Sequence, residues 1–369
     1  MRVFIIGHMA PWEVPFFFVS NFKKLGHTVG TYDYVANPTH IFGKLPITSL
    51  PSVYPRLQRM GFRNPDTELK NEVKKFGPDL VLVVKGESIL NETIEWIRKE
   101  TGATVVNMAP DDPQLFNALS KHVAPAYDYV FTASTDSVKD YHALGVKAEW
   151  IGYACEPSVH RTMKVSEKER RIFGSDLCFA GSCYPERVVL LSSLMDYDLK
   201  IWGSRWTRQN AMMKTFFRAM KMEEYKDSFD FTESLRLIMT TGIWKKYMGR
   251  GVYGNDLLKA FNSSKIVINI HHVLMRDGGT QGNLRVFEAT GCGSFLLNDR
   301  PKGIEKMFKI GREIVCFDDG KDMAEKSDYY LRNLDERTKI AERGQKRVYR
   351  EHTYMHRTKQ ILKTVKKIS

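Results

Sequence analysis

Short apolar runs separated by helix-period segments recur along this chain, and that alternation limits its fold more than any other feature. In the first half, strand-like runs fall at 3–6, 28–32, 80–84, 104–107, 129–132 and 149–151. Helical patterns at 16–25, 67–76, 89–101 and 137–144 lie between them. Strands separated by helices pair in parallel, so this order predicts an α/β fold with helices on both faces of a sheet. The punctuation agrees. In Lys24-Leu25-Gly26-His27-Thr28-Val29 a helix ends on a glycine C-cap and a strand begins, and Phe76-Gly77-Pro78-Asp79-Leu80-Val81 repeats the pattern.

Cys155-Glu156-Pro157 opens a polar, charged stretch that runs to about Gly174. A second series of runs follows at 177–180, 199–202, 266–270, 294–297 and 314–317. With 369 residues the chain exceeds one ordinary core. Two α/β domains are expected, at 1–155 and 174–344, and the polar stretch separates them. The basic tail reads as two helices split near Gly344, with 345–369 as a closing helix. An insertion at 206–242 interleaves Met212, Met213, Phe216, Phe217, Met220 and Met222 with lysines and arginines. It suits an amphipathic helix packed on its own domain, or a surface for acceptor, partner or lipid.

The opening run Met1-Arg2-Val3-Phe4-Ile5-Ile6-Gly7 reads as a strand and lacks the features of a signal peptide. No stretch is apolar for long enough to span a membrane as a helix. Five cysteines, odd in number and without metal-ligand spacing, predict buried thiols in a reducing cytoplasm. The net charge of +13 predicts attraction to polyanions such as DNA, an anionic membrane or anionic glycans.

The chemistry concentrates in Gly282-Asn283-Leu284-Arg285-Val286-Phe287-Glu288-Ala289-Thr290-Gly291-Cys292-Gly293, where a polar, glycine-rich loop enters a short helix. Arg285 and Glu288 share one helical face near a helix N-terminus, whose free amides favour phosphate. A cation beside amide donors suits a diphosphate, and a carboxylate suits paired ribose hydroxyls. An ordinary surface ion pair is the alternative. Other motifs fail on context. Gly249-Arg250-Gly251-Val252-Tyr253-Gly254 matches G-x-G-x-x-G but does not follow a strand. Asp196-Tyr197-Asp198 reads as a solvated loop, and the adjacent pair His271-His272 cannot bind one metal from a single helix face.

Three loops after expected strands add candidates, since open α/β sheets place ligands at the carboxyl ends of their strands. The first, after residue 7, offers His8 and Glu13. The second holds Asp111 and Asp112 between Pro110 and Pro113, either of which could serve as a base, while Asp112 also suits a helix cap. In the third, Gly181 and Ser182 could approach a phosphate and Arg187 could supply charge, with a comparable turn at Gly203. His271 is a further contact candidate.

In their joint order these loops resemble the GT-B glycosyltransferases, specifically the spore-maturation (CgeB-like) branch of the group 1 enzymes. Phe179-Ala180-Gly181-Ser182, Leu199-Lys200-Ile201-Trp202-Gly203, the 264–270 run, the 285–293 segment and Glu351-His352-Thr353-Tyr354-Met355-His356-Arg357 carry the likeness. In the first half, residues 78–86, Asp111-Asp112-Pro113 and Tyr127-Asp128-Tyr129-Val130-Phe131-Thr132 recur in the same order. The resemblance implies two Rossmann-like domains facing each other across a cleft, with the closing helix returning to the first. It implies a nucleotide-diphosphate sugar as donor, UDP-linked in the leading version, and no cofactor or metal. Glu288 would hold the donor ribose, and Arg285, Asn283 and Gly282 would meet the diphosphate. Thr280 stands where the broader E-x7-E motif has its first glutamate, so that motif does not specify the stereochemical outcome.

The arginine–glutamate spacing also resembles phage DNA glucosyltransferases, whose catalytic aspartate would map to Asp111 or Asp112. The alternatives are therefore a DNA-modifying enzyme acting on a hydroxylated base, and a non-catalytic nucleotide- or polyanion-binding protein of the same fold.

Overall fold

The computed structural model describes residues 1–34, 66–87, 89–203, 206, 248–249 and 251–368. Apart from Trp206, the insertion at 206–242 lies outside the described residues, as do Ser204, Arg205 and Arg250. The chain divides into two compact units. The first is Met1–Tyr153 with Gly278–Thr280 and Tyr354–Ser369; the second is Ala154–Asp277 with Gln281–Thr353.

In the first unit, β1 (Arg2–Gly7), β2 (Thr28–Asp33), β3 (Leu80–Val84), β4 (Thr104–Ala109), β5 (Tyr129–Thr132) and β6 (Ala148–Trp150) form one sheet. Its order is β2-β1-β3-β4-β5-β6, and every pair is parallel. β3 reads Leu-Val-Leu-Val-Val and is buried at every position, because a parallel sheet is covered on both faces. The chain runs from β1 outward to β2 and then back across to β3. That reversal opens a crevice beyond the carboxyl ends of β1 and β3. The helix Tyr354–Ile368 belongs to this unit, and the Tyr354 ring packs against Phe17 and Phe18 of the helix Val14–Lys24.

The second unit repeats the plan with β7 (Leu177–Ala180), β8 (Leu199–Trp202), β9 (Met248–Gly249), β10 (Ile266–Asn269), β11 (Leu296–Asn298) and β12 (Val315–Cys316). The order β12-β11-β10-β7-β8-β9, again parallel, puts the reversal between β7 and β10. Leu177, Phe179, Ile201, Ile266, Ile268 and Leu297 form its core. All five cysteines are buried, and none forms a disulfide.

Three expectations change. The tail does not break at Gly344, because the helix Leu334–Glu351 runs straight through it. A β-carbon there would sit 2.4 Å from the Glu313 carbonyl oxygen, so Gly344 permits close packing instead of ending a helix. The break falls at His352–Thr353. The polar stretch after Cys155 is no linker either. It belongs to the second unit and contains the helix Glu167–Phe173, started by a Ser166/Glu169 capping box. The edge strand β9 is the third. Two residues give no periodicity to read, and Gly249 is needed because its β-carbon position lies 2.3 Å from the Trp202 ring.

Gly203 has a comparable role. Gly181 N–H donates to the Trp202 carbonyl at 2.9 Å, drawing the two turns together. A β-carbon on Gly203 would fall 1.9 Å from the Gly181 carbonyl oxygen. Gly203→Ala must therefore separate the turns after β7 and β8. It should destabilise the protein by about 1–3 kcal/mol, read as a lower midpoint in urea.

Candidate active site

The second unit gathers its polar groups at the β7/β10 reversal. Arg187, in the helix Pro185–Leu191, points back across it: Nε donates to the Ile270 carbonyl at 2.9 Å and Nη1 to the Ser182 carbonyl at 2.8 Å. One guanidinium thus ties the loop after β7 to the loop after β10. Its carbon lies 4.9 Å from the Tyr184 ring centroid and 5.4 Å from that of Phe179. Arg187 is 9% exposed and makes no ion pair among the described residues. Burial lowers its pKa. A buried cation left without an anion is costly, so this position favours an anionic ligand. Gly181 leaves room for the side chain, since its β-carbon position is 3.0 Å from Arg187 Nη1.

The helix Leu284–Gly291 begins nearby in the sequence order of the same sheet, following β10 and leading to β11. Asn283 caps it, accepting a hydrogen bond from Val286 N–H at 3.3 Å. The Asn283 side chain also exchanges hydrogen bonds with Asn269, and Asn269 donates to Asn298 at 2.7 Å. Its main-chain N–H donates to His271 Nε2 at 2.8 Å. That bond fixes the His271 proton on Nδ1, facing Asp299. Both ring nitrogens of His271 are therefore engaged, and the ring is 1% exposed. His271 and Asn283 are thus both tied by hydrogen bonds to the helix start. Gly282, at φ +133°, makes the turn that delivers the chain to the cap.

Glu288 is 3% exposed. One carboxylate oxygen is paired with Arg285, and the other lies 3.7 Å from His160 Nε2. His160 Nδ1 accepts from Glu156 N–H at 2.9 Å, so the ring proton sits on Nε2 and is directed at Glu288. Burial lowers the His160 pKa and keeps the imidazole neutral, although Glu288 opposes the shift. His160 and Asp299 were not picked out from the sequence. A lone histidine in a polar stretch and an aspartate after a strand carry no motif.

In the first unit the acids divide. Asp112 is fully buried and accepts from Ser120 Oγ at 2.6 Å, Tyr141 OH at 2.7 Å and Thr132 Oγ1 at 2.8 Å. It has no exposed surface and caps no helix, so the cap expected of it is not formed and its carboxylate is committed to these three hydroxyls. Asp111 faces outward, with its side chain 41% exposed and Oδ2 3.1 Å from Lys85 Nζ. Lys85 also meets Glu87 at 2.9 Å. Burial alone would lower the Lys85 pKa, but Asp111 and Glu87 outweigh it and hold the ammonium above its ordinary value. Lys85 adopts φ 69° and Gly86 φ 79°, a left-handed pair that turns the chain sharply after β3. Lys85 and Glu87 were also missed, because the strain that aims them is invisible in the sequence. His8 follows β1 and lies 3.6 Å from Asp33, while Glu13 precedes the helix Val14–Lys24 without capping it through its side chain. Glu87, Asp111 and Glu13 all bear electrostatically on Tyr34, whose pKa is raised first by burial. These loops thus converge beyond one edge of the sheet.

The comparisons agree with this architecture. Residues 187–363 match a family model described as glycosyl transferase-like. Spore protein CgeB of Bacillus subtilis (strain 168) is 22% identical over 287 residues, covering 75% of this chain and 80% of that protein. Among solved structures, sucrose-phosphate synthase of Thermosynechococcus elongatus superposes with a TM-score of 0.64 at 10% identity, covering 100% of this chain and 99% of that one. Anabaena Alr3699/HepE in complex with UDP-glucose gives 0.61 at 10% identity over 100% of both chains. The expectation of a glycosyltransferase is upheld by the family model, and the expected CgeB likeness and fold are found beside it. The chain carries the GT-B fold and, over residues 187–363, the sequence signature of a glycosyl transferase-like family.

Proposed function

We propose that the chain transfers a sugar from a UDP-sugar to an acceptor hydroxyl without a metal. The buried Arg187, unpaired with any described carboxylate at the β7/β10 reversal, is the observation that carries this reading. It receives the donor diphosphate, together with the first-turn amides of the helix that Asn283 caps. Arg285, 26% exposed, turns from Glu288 toward the same phosphates and releases a carboxylate oxygen for the ribose hydroxyls. Asp111 takes the acceptor proton as the new bond to the anomeric carbon forms and the bond to the diphosphate oxygen breaks. The neighbour solved with UDP-glucose supports the choice of nucleotide.

Calorimetric titration separates a diphosphate role for Arg187 from a structural one. Arg187→Lys keeps the charge but loses the planar fork. It should weaken UDP binding by roughly tenfold and leave uridine binding unchanged. Equal losses for both ligands would show only a damaged loop. Turnover of UDP-glucose should persist in excess EDTA, and its loss there would remove metal independence from the reading.

The +13 charge favours one second reading, a hydroxylated base in DNA as acceptor. Duplex binding that falls steeply with salt would support it, and weak, flat binding would count against it.

A further inference from the structure

The opposite edge of the first sheet carries a feature that sugar transfer does not use. His27 precedes β2, so it lies at the amino ends of these parallel strands, away from Asp111 at the carboxyl ends. There Leu25, His27, Lys359, Leu362, Lys363 and Lys366 line a cavity of about 480 Å³. The three lysines come from the helix Tyr354–Ile368, which contains no Asp or Glu. Spaced at i, i+4 and i+7, they stand along one face, and none makes an ion pair with a described residue. Leu25 and Leu362 supply a half-exposed apolar floor. His27 Nδ1 is buried without a hydrogen-bond partner among the described residues. Burial, then the terminal amine and Lys366, lower its pKa, as expected for a ring facing uncompensated positive charge.

We infer that this cavity docks an anionic phospholipid at a membrane surface. The lysine rim meets the phosphate, and the leucine floor meets the upper acyl chain. A nucleic acid or a free phosphate would use the rim and leave the floor exposed, so the floor decides among anions. No described helix is long and apolar enough to cross a membrane, and the inferred contact is made at the surface of the first unit.

Co-sedimentation of the full chain with vesicles tests the assignment. Binding is expected to phosphatidylcholine vesicles containing phosphatidylglycerol and not to phosphatidylcholine alone. Lys359→Ala/Lys363→Ala/Lys366→Ala should weaken it by on the order of a hundredfold. Lys339→Ala/Arg343→Ala/Lys346→Ala removes the same net charge from exposed positions of the helix Leu334–Glu351 and should leave binding near the parental level. Leu362→Ser keeps the lysines and should still lose several-fold. All the variants alter outward-facing or half-exposed side chains, and unchanged melting curves would confirm their folding. Equal losses in both triple variants would reduce the effect to net charge and overturn the proposal. So would unaltered binding by Leu362→Ser, or displacement of the vesicles by inorganic phosphate or duplex DNA acting through the same lysines.

Discussion

Asp111→Asn should lower turnover by about 10²–10⁴-fold while donor affinity stays at the parental value. The substitution preserves shape and removes the only function proposed for this side chain, uptake of the acceptor proton. The proposed donor contacts, Arg187, Arg285 and Glu288, all belong to the other unit, so UDP binding offers an independent control. Lys85 gives a second readout. Its ammonium stays charged and holds the Asp111 side chain at 3.1 Å. Lys85→Met should therefore free the Asp111 side chain and lower turnover without changing UDP binding, whereas Lys85→Arg should largely restore it. Full turnover in Asp111→Asn would exclude Asp111 as the base, whatever happened to donor binding.

Asp112→Ala should instead act on stability, at a cost of about 3 kcal/mol or more. Ser120, Thr132 and Tyr141 would each lose the same acceptor inside a closed core, where water cannot replace it. A denaturant midpoint that moved by no more than a surface substitution would contradict that account. Asp112→Asn asks a finer question. Burial outweighs the three hydroxyl donors and pushes the carboxyl from 3.8 up to about 6. The folded chain then keeps a proton that the unfolded chain releases in that interval. Its contribution to stability is complete below 3.8 and is lost as pH rises through about 6. A neutral asparagine should flatten this segment of the stability profile, and an unchanged slope would assign the dependence elsewhere.

Adjacent in sequence, Asp111 and Asp112 mark the limit of what could be read without coordinates. Both follow β4, and both were credible bases. They lie together in the turn after β4, and only the positions of Ser120, Tyr141 and Thr132 decide which side chain is inward. Glu288 shows the same limit. Its spacing from Arg285 was plain, but its burial and the His160 proton facing it depend on a residue 128 positions earlier in the chain. Lys85 and Glu87 passed unnoticed because a left-handed turn after β3 gives them their direction. Gly344 was misread because a glycine that ends a helix and one that admits a neighbouring carbonyl look identical in sequence.

By itself the sequence determined the alternation of strands and helices, the division into two α/β units and the loops at the carboxyl ends of the strands. These follow from local periodicity and turn chemistry, which neighbouring residues largely set. Only the tertiary structure decided that Arg187 spans the β7/β10 reversal, that His271 and Asn283 brace a helix start, and that Asp111 alone of its pair faces outward. Those outcomes depend on burial and on partners distant in the chain, and no short window of sequence contains them.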